Sequence, residues 1–319
     1  MSGLPPALQD AISGFCGTAR GRDIAQRAAA QSSCYRGGGG SLHAVSDQND
    51  VAAYLTARLP ATYAATHAAL SAVQIRAPAF HPQSLLDFGA GPGTASWAAT
   101  EIWPGIESVV MHDHNSHFAE AARILAAESP HAALQQAQFT TTGSGDRRFD
   151  LVIAAYVISE IAESRVPEFA WPLWSICRGI LVIVEPGTPT GFQRVLHARH
   201  ALLQQQAMIA APCPGEVPCP MAGSDWCHFA VRLPRTRDHM RAKNASVPYE
   251  DEKFSYVAAA RDGVVLTASA PRIIAPVANT KAGSRFRLCT ENGISEVDIA
   301  RRDPAEYRRH RRKNWGDLF

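Results

Sequence analysis

Residues 85–99, LLDFGAGPGTASWAA, run from a short apolar stretch through three alternating glycines into an Ala-rich segment. That order dictates a strand, a tight turn and a helix. Glycine lets the backbone turn sharply and approach a ligand where a Cβ would clash, and the helix that follows offers free N–H donors in its first turn. Downstream the same alternation continues: ESVVMHDH reads as a second strand ending in an acid, and FAEAARILAAE as an amphipathic helix. FDLVIAAYVISEI holds a third strand and RGILVIVEPG a fourth. Such continuous apolar runs suit parallel strands buried on both faces. Strands separated by helices form βαβ units, so the predicted fold is α/β, a Rossmann-like doubly wound sheet.

The flanks differ in texture. Residues 1–80 read as a helical region: VAAYLTARLPATYAATHAALSAV (51–73) places apolar residues at three- and four-residue spacing, after a glycine run at 37–40 that forbids a regular element. Residues 81–204 form the expected cofactor-binding domain, and 205–319 a small, mainly β, metal-binding appendage. Within the appendage FSYVAAAR, GVVLTASAPRIIAPV and SRFRLCTENGISEVDIA read as strand-like runs, with ENG as a hairpin turn. At 46% hydrophobic and 19% charged residues the chain can bury a sizeable core. It shows neither a membrane-length apolar run nor a secretory signal, so a cytoplasmic monomer is expected.

The glycine loop carries the first chemical expectation. Asp87-x-Gly89-x-Gly91-x-Gly93 follows a strand, and Asp113 ends the next strand, placed to accept hydrogen bonds from ribose hydroxyls. A glycine-rich turn also serves plain strand–helix packing, and the dinucleotide spacing would be G-x-G-x-x-G. The form found here resembles the first motif of class I S-adenosylmethionine-dependent methyltransferases. That resemblance implies a Rossmann-like methyltransferase domain that binds S-adenosylmethionine through Asp87, Gly89, Gly91, Gly93 and Asp113. Catalysis is left without a residue. AAYVISEI lacks the Asn/Asp-Pro-Pro-Tyr/Phe motif of base N-methyltransferases, and Cys177 sits in apolar company that raises a thiol pKa. Glu160 and Glu185 lie near strand ends, where helix caps and solvated loops explain them equally well.

Cys213-x5-Cys219-x7-Cys227-x61-Cys289 lacks C-x2-C zinc knuckles and the C-x3-C-x2-C of radical S-adenosylmethionine enzymes. Four thiolates can hold zinc or an iron–sulfur cluster, and Pro212, Pro214, Pro218 and Pro220 stiffen the loop around them. His228 keeps a zinc site of three cysteines and one histidine open, and buried thiols under a loop are the plain alternative. CPGEVPCP, WCHF, LCTENG and RRKNWGD, with YRGG and ARLPATYAA earlier, resemble a methyltransferase-like family of mitochondrial small-ribosomal-subunit assembly proteins and their bacterial relatives. The resemblance implies a 4Fe–4S cluster on Cys213, Cys219, Cys227 and Cys289, and action on the small ribosomal subunit and its rRNA. It leaves open whether a methyl group is transferred or the fold serves only as a docking scaffold. In residues 299–319 seven Arg or Lys face three acids, with Tyr307 and Trp315 interleaved. Arg308, Arg309, Arg311, Arg312 and Lys313 are therefore candidate RNA contacts, against the plainer reading of a solvated helical face.

Overall fold

The apolar runs become the centre of one mixed sheet in a computed structural model that describes residues 3–17, 21–141, 147–221 and 225–319. Helices α1 (Pro6–Cys16), α2 (Gly21–Arg36), α3 (Ser41–Ala44), α4 (Gln48–Ala57) and α5 (Leu59–Arg76) come first. Then follow β1 (Ser84–Phe88), α6 (Thr94–Ile102), β2 (Ser108–His112), α7 (Ser116–Ala127), α8 (Ala132–Gln135) and β3 (Gln138–Thr140). After them come β4 (Phe149–Ala155), α9 (Val166–Ile176), β5 (Cys177–Pro186) and α10 (Pro189–Gln204). The sheet is completed by β6 (Met208–Ala211), β7 (Phe229–Pro234) and β8 (Tyr249–Ala260), with α11 (Arg237–Ala242) between the last two. Its order is β3-β2-β1-β4-β5-β8-β6. Strands β1 to β5 are mutually parallel, whereas β8 runs antiparallel to β5. The far edge of β8 is shared by β7 and β6. This is the Rossmann-like α/β fold that the βαβ pattern predicts.

Strand residues alternate between two cores. Leu85, Leu151, Ile153, Val182 and Val184 pack with Leu55, Leu59, Tyr63 and Leu70 on one face. Leu86, Val152, Ala154, Leu181 and Ile183 pack with Val166, Leu173, Val195 and Leu202 on the other. Burial on both sides explains why these strands lack polar alternation. The cores also cross the divisions expected at 80 and 204. Helix α5 lies against α6, β7 and β8, and β6 to β8 belong to the main sheet. A separate β unit begins later, with β9 (Arg272–Ile273), β10 (Ala278–Asn279), β11 (Gly283–Thr290) and β12 (Gly293–Ala300), followed by α12 (Pro304–His310). Its core is Ile273, Phe286 and Leu288.

The β11–β12 hairpin turns through Glu291 and Asn292, with Thr290 paired to Gly293 at φ +110°, as ENG predicts. GVVLTASAPRIIAPV behaves differently, because only Arg272–Ile273 pairs as strand. Pro271 and Pro276 remove ladder donors there. The preceding stretch is instead gathered by Arg76, whose guanidinium donates to the carbonyls of Thr267, Ala268 and Ala210. Among the described residues no helix is long and apolar enough to cross a membrane. Phe286 is fully buried beneath Phe319, their rings 5.2 Å apart. Phe286→Ala is expected to cost about 3–5 kcal/mol. Urea unfolding should show the loss as a lower midpoint.

Candidate functional site

Phe88, at the end of β1, runs directly into the glycine loop. Gly89, Gly91 and Gly93 take φ values of +71°, +54° and +83°, the left-handed region that side chains disfavour. A Cβ on Gly89 would also stand 2.2 Å from a methyl of Val157. Asp87 lies beneath this loop rather than in front of it. Its carboxylate accepts from the Ser96 amide at 2.9 Å and the Ser96 hydroxyl at 2.8 Å, tying β1 to the first turn of α6. Burial pushes its pKa up to about 7 against those two bonds. Next to Gly93, the Thr94 hydroxyl is buried without a partner among the described residues.

Asp113 extends from the end of β2 to the same loop. One oxygen accepts from the Gly91 amide at 2.7 Å and the other from the Asn115 amide at 2.8 Å. Asn115 caps α7 and donates to the carbonyls of Ser41 and Val45. The Ser41 amide in turn donates to Glu160 at 2.9 Å, and Gly40 sits so close to Glu160 that a Cβ would stand 2.7 Å from its carboxylate. The segment around residues 40–45 thus borders the ends of β2 and β4. The glycine run there had signalled only an irregular loop, and this proximity to the site carried no sequence signature.

A second group without a sequence signal follows β4. Tyr156 has φ +62°, its amide donates to Val184, and its hydroxyl donates to Glu252 at 3.0 Å. Arg58 pairs with the same Glu252 oxygen at 3.1 Å and lies 4.8 Å from the centre of the Tyr156 ring. These residues come from α5, the β4 end and β8, so only the fold joins them. Glu185, near the end of β5, is fully buried and accepts from the Ile158 amide at 3.0 Å. Among the described residues its other oxygen has no hydrogen-bond partner.

All four candidate cysteines line one cavity, with Phe192, Tyr256, Arg199 and Arg272 among its other walls. Burial pushes the Cys213 thiol up, that of Cys227 well up, and that of Cys289 to about 11, with neighbouring thiols adding to each. Among the described residues, no three His, Cys, Asp or Glu side chains converge tightly enough to hold a metal ion. His228 stands outside the cavity wall, stacked on Trp226 at 5.0 Å and edge-on to Trp315 at 4.8 Å. Cys177 is buried at the start of β5, where burial pushes it to about 12 and makes it a poor nucleophile. On the C-terminal stretch Arg308, Arg311 and Arg312 are exposed. Arg309 is held by Glu306 at 2.5 Å, and the Lys313 ammonium donates to the Leu318 carbonyl.

Glu185 gives the site a pH signature. Its carboxyl rises from 4.5 to about 8 on folding because burial disfavours the charge, so the native state binds the proton more tightly. The resulting stability is complete below about 4.5 and is lost as pH rises towards 8. Glu185→Gln, which keeps an acceptor for the Ile158 amide, should flatten that decline and raise stability at pH 8 by roughly 4 kcal/mol at most. Melting temperatures of the two chains across the range check this.

The family described as mitochondrial small ribosomal subunit Rsm22 matches residues 48–319. The human ribosome assembly protein METTL17, mitochondrial, is 31% identical over 285 residues, spanning 83% of this chain and 61% of the human protein. Rsm22-cox11 tandem protein 2, mitochondrial, of Schizosaccharomyces pombe is 25% identical over 328 residues, spanning 84% of this chain and 43% of its own length. The chain therefore spans less than two thirds of these relatives. Among solved structures, magnesium protoporphyrin IX methyltransferase of Synechocystis with bound SAH has 14% identity and a TM-score of 0.42, covering 64% of this chain and 85% of its own. The expected cytoplasmic location is overturned: the family and both of these relatives are described as mitochondrial, pointing to mitochondria instead.

Proposed function

The chain belongs to the Rsm22 family, and from that premise we propose that it is a small-ribosomal-subunit assembly factor. In this reading it binds S-adenosylmethionine in the glycine loop and docks RNA without transferring a methyl group. The observation that carries it is the segment after β4. Base methyltransferases place groups for the target amine there, whereas here Tyr156 is tied to Glu252 and covered by Arg58. An acceptor entering there would have to displace a partly buried ion pair and the Tyr156–Glu252 hydrogen bond.

The loop itself fits the cofactor. Gly91 leaves open backbone where a side chain would intrude, Gly89 lets the turn pack against Val157, and Asp113 keeps lone pairs free for ribose hydroxyls. When bound, S-adenosylmethionine supplies an activated methyl on a sulfonium. Asp87 orders the loop through Ser96, and Asn115 links the 41–45 segment to the Asp113 turn.

We further propose that Cys213, Cys219, Cys227 and Cys289 hold a structural 4Fe–4S cluster. Four thiols line one cavity, and four cysteine thiolates are the donor set that such a cluster takes. Iron-bound cysteines are thiolates, so assembly would release protons from thiols that burial keeps neutral.

Incubating the purified chain and immature small subunits with methyl-labelled S-adenosylmethionine tests the main reading. Cofactor binding is expected, weakened at least tenfold by Gly89→Ala, with no label entering RNA. Label in rRNA would overturn the non-catalytic reading and establish methyl transfer. Neutralising Arg308, Arg311 and Arg312 together should weaken RNA binding and flatten its dependence on log salt by roughly 2–3. An unchanged slope would make this stretch a solvated face.

A further inference from the structure

Two arginines are buried against the four cysteines, and among the described residues neither forms an ion pair with a carboxylate. Arg199 on α10 is 6% exposed and Arg272 on β9 is 4% exposed, and both line the cysteine cavity. Their oxygen partners are backbone carbonyls. Arg199 donates to Gly215 at 2.9 Å and Val217 at 2.8 Å; Arg272 donates to Pro212 at 3.0 Å and Gly316 at 2.9 Å. The Arg199 charge partly offsets the burial that raises the Cys213 thiol pKa, and among the described residues the Arg199 Nε is buried without a partner. Elsewhere the chain matches such charges: Arg58 has Glu252, and Arg235 has Glu250. Arg76, also buried, is held like Arg199 and Arg272 by carbonyls, those of Ala210, Thr267 and Ala268; burial and then the nearby Arg272 charge lower its pKa, and Glu216 offsets only part of that.

A buried guanidinium without a counter-charge is costly, and carbonyl dipoles compensate only part of it. Arginine keeps its proton at any accessible pH, so neutralisation offers no escape. An anion held in the cavity that both arginines line would supply the counter-charge. Four thiolates around a doubly positive iron–sulfur core leave a net double negative charge, which two guanidiniums balance.

We propose that Arg199 and Arg272 are positioning residues for the cysteine-bound cluster. They supply its two counter-charges while their carbonyl contacts fix the 212–217 loop and the Gly316 turn around it. This rests on the 4Fe–4S reading of the four cysteines. It assigns the cluster pocket a cationic wall built from two parts of the chain, a helix of the main fold and a strand of the small β unit. Removing either charge should favour the oxidised cluster, because the reduced core carries one more negative charge.

The test uses the full chain reconstituted anaerobically with iron and sulfide, compared with Arg199→Gln, Arg199→Lys, Arg272→Gln and Arg272→Lys. One electron from dithionite reduces the core, and the midpoint is read by redox titration with electron paramagnetic resonance. Each Gln variant should shift the reduced-to-oxidised ratio at a fixed potential roughly tenfold towards oxidised, or about 59 mV for one electron. Each Lys variant, which keeps the charge but loses the fork, should stay close to wild type. Equal shifts in the Lys and Gln pairs, or none in either, would overturn the assignment. Gln variants that take up no iron while their Lys counterparts do would support it through cluster retention. A wild-type chain that binds no iron, or stoichiometric zinc instead, overturns the cluster reading itself and this inference with it.

Discussion

Burial of the parallel strands on both faces is the constraint on which the rest of this structure depends. Leu151 and Ile153 point to one core and Val152 and Ala154 to the other, so neither face of β4 can be left to solvent. Helices must then cover both sides, and polar side chains can gather only where the strands end. At those ends stand Asp87, Asp113, Tyr156 and Glu185, each bonded to a backbone amide or to another strand's side chain. The glycines allow the loop to turn within this crowded layer.

Helix α10 links the strand-end region to the cysteine cavity. Thr188 caps its start just beyond β5, accepting from the Gly191 amide, while Arg199 further along holds the cysteine loop by two carbonyls. Trp226, beside Cys227, donates back to the Gly187 carbonyl at 3.0 Å. Ser255 on β8 donates to the Cys227 carbonyl. The cysteine loop is thereby anchored to the main sheet and its helix. This anchoring is why a division at residue 204 has no counterpart in the packing.

Much of the fold was legible in local pattern. Runs such as LLDF, SVVM and ILVIV declare buried strands because hydrophobicity without alternation has few other uses, and ENG declares a hairpin through its glycine. β3 was missed: Gln138–Thr140 is three residues long and half-polar, and it exists through pairing with β2. The cysteine quartet was legible as a set because cysteine is rare and proline flanks it. The cationic wall was not, since Arg199 and Arg272 lie 73 residues apart in segments with no pattern of their own. For the same reason Arg58, Tyr156 and Glu252 could not be foreseen as one group.

The sequence by itself determined the strand–glycine–helix order, the parallel sheet, the glycine loop and the spacing of the four cysteines. Those are statements about neighbours along the chain, and local sterics and periodicity enforce them. The tertiary structure decided that Asp87 supports the loop from below, that Arg58 closes over Tyr156, that the basic stretch keeps only part of its charge free, and that two unpaired arginines face the cysteines. Each of these depends on which distant side chain arrives within hydrogen-bonding reach. That is set by how helices and strands pack, and it leaves no period or motif in the chain to read.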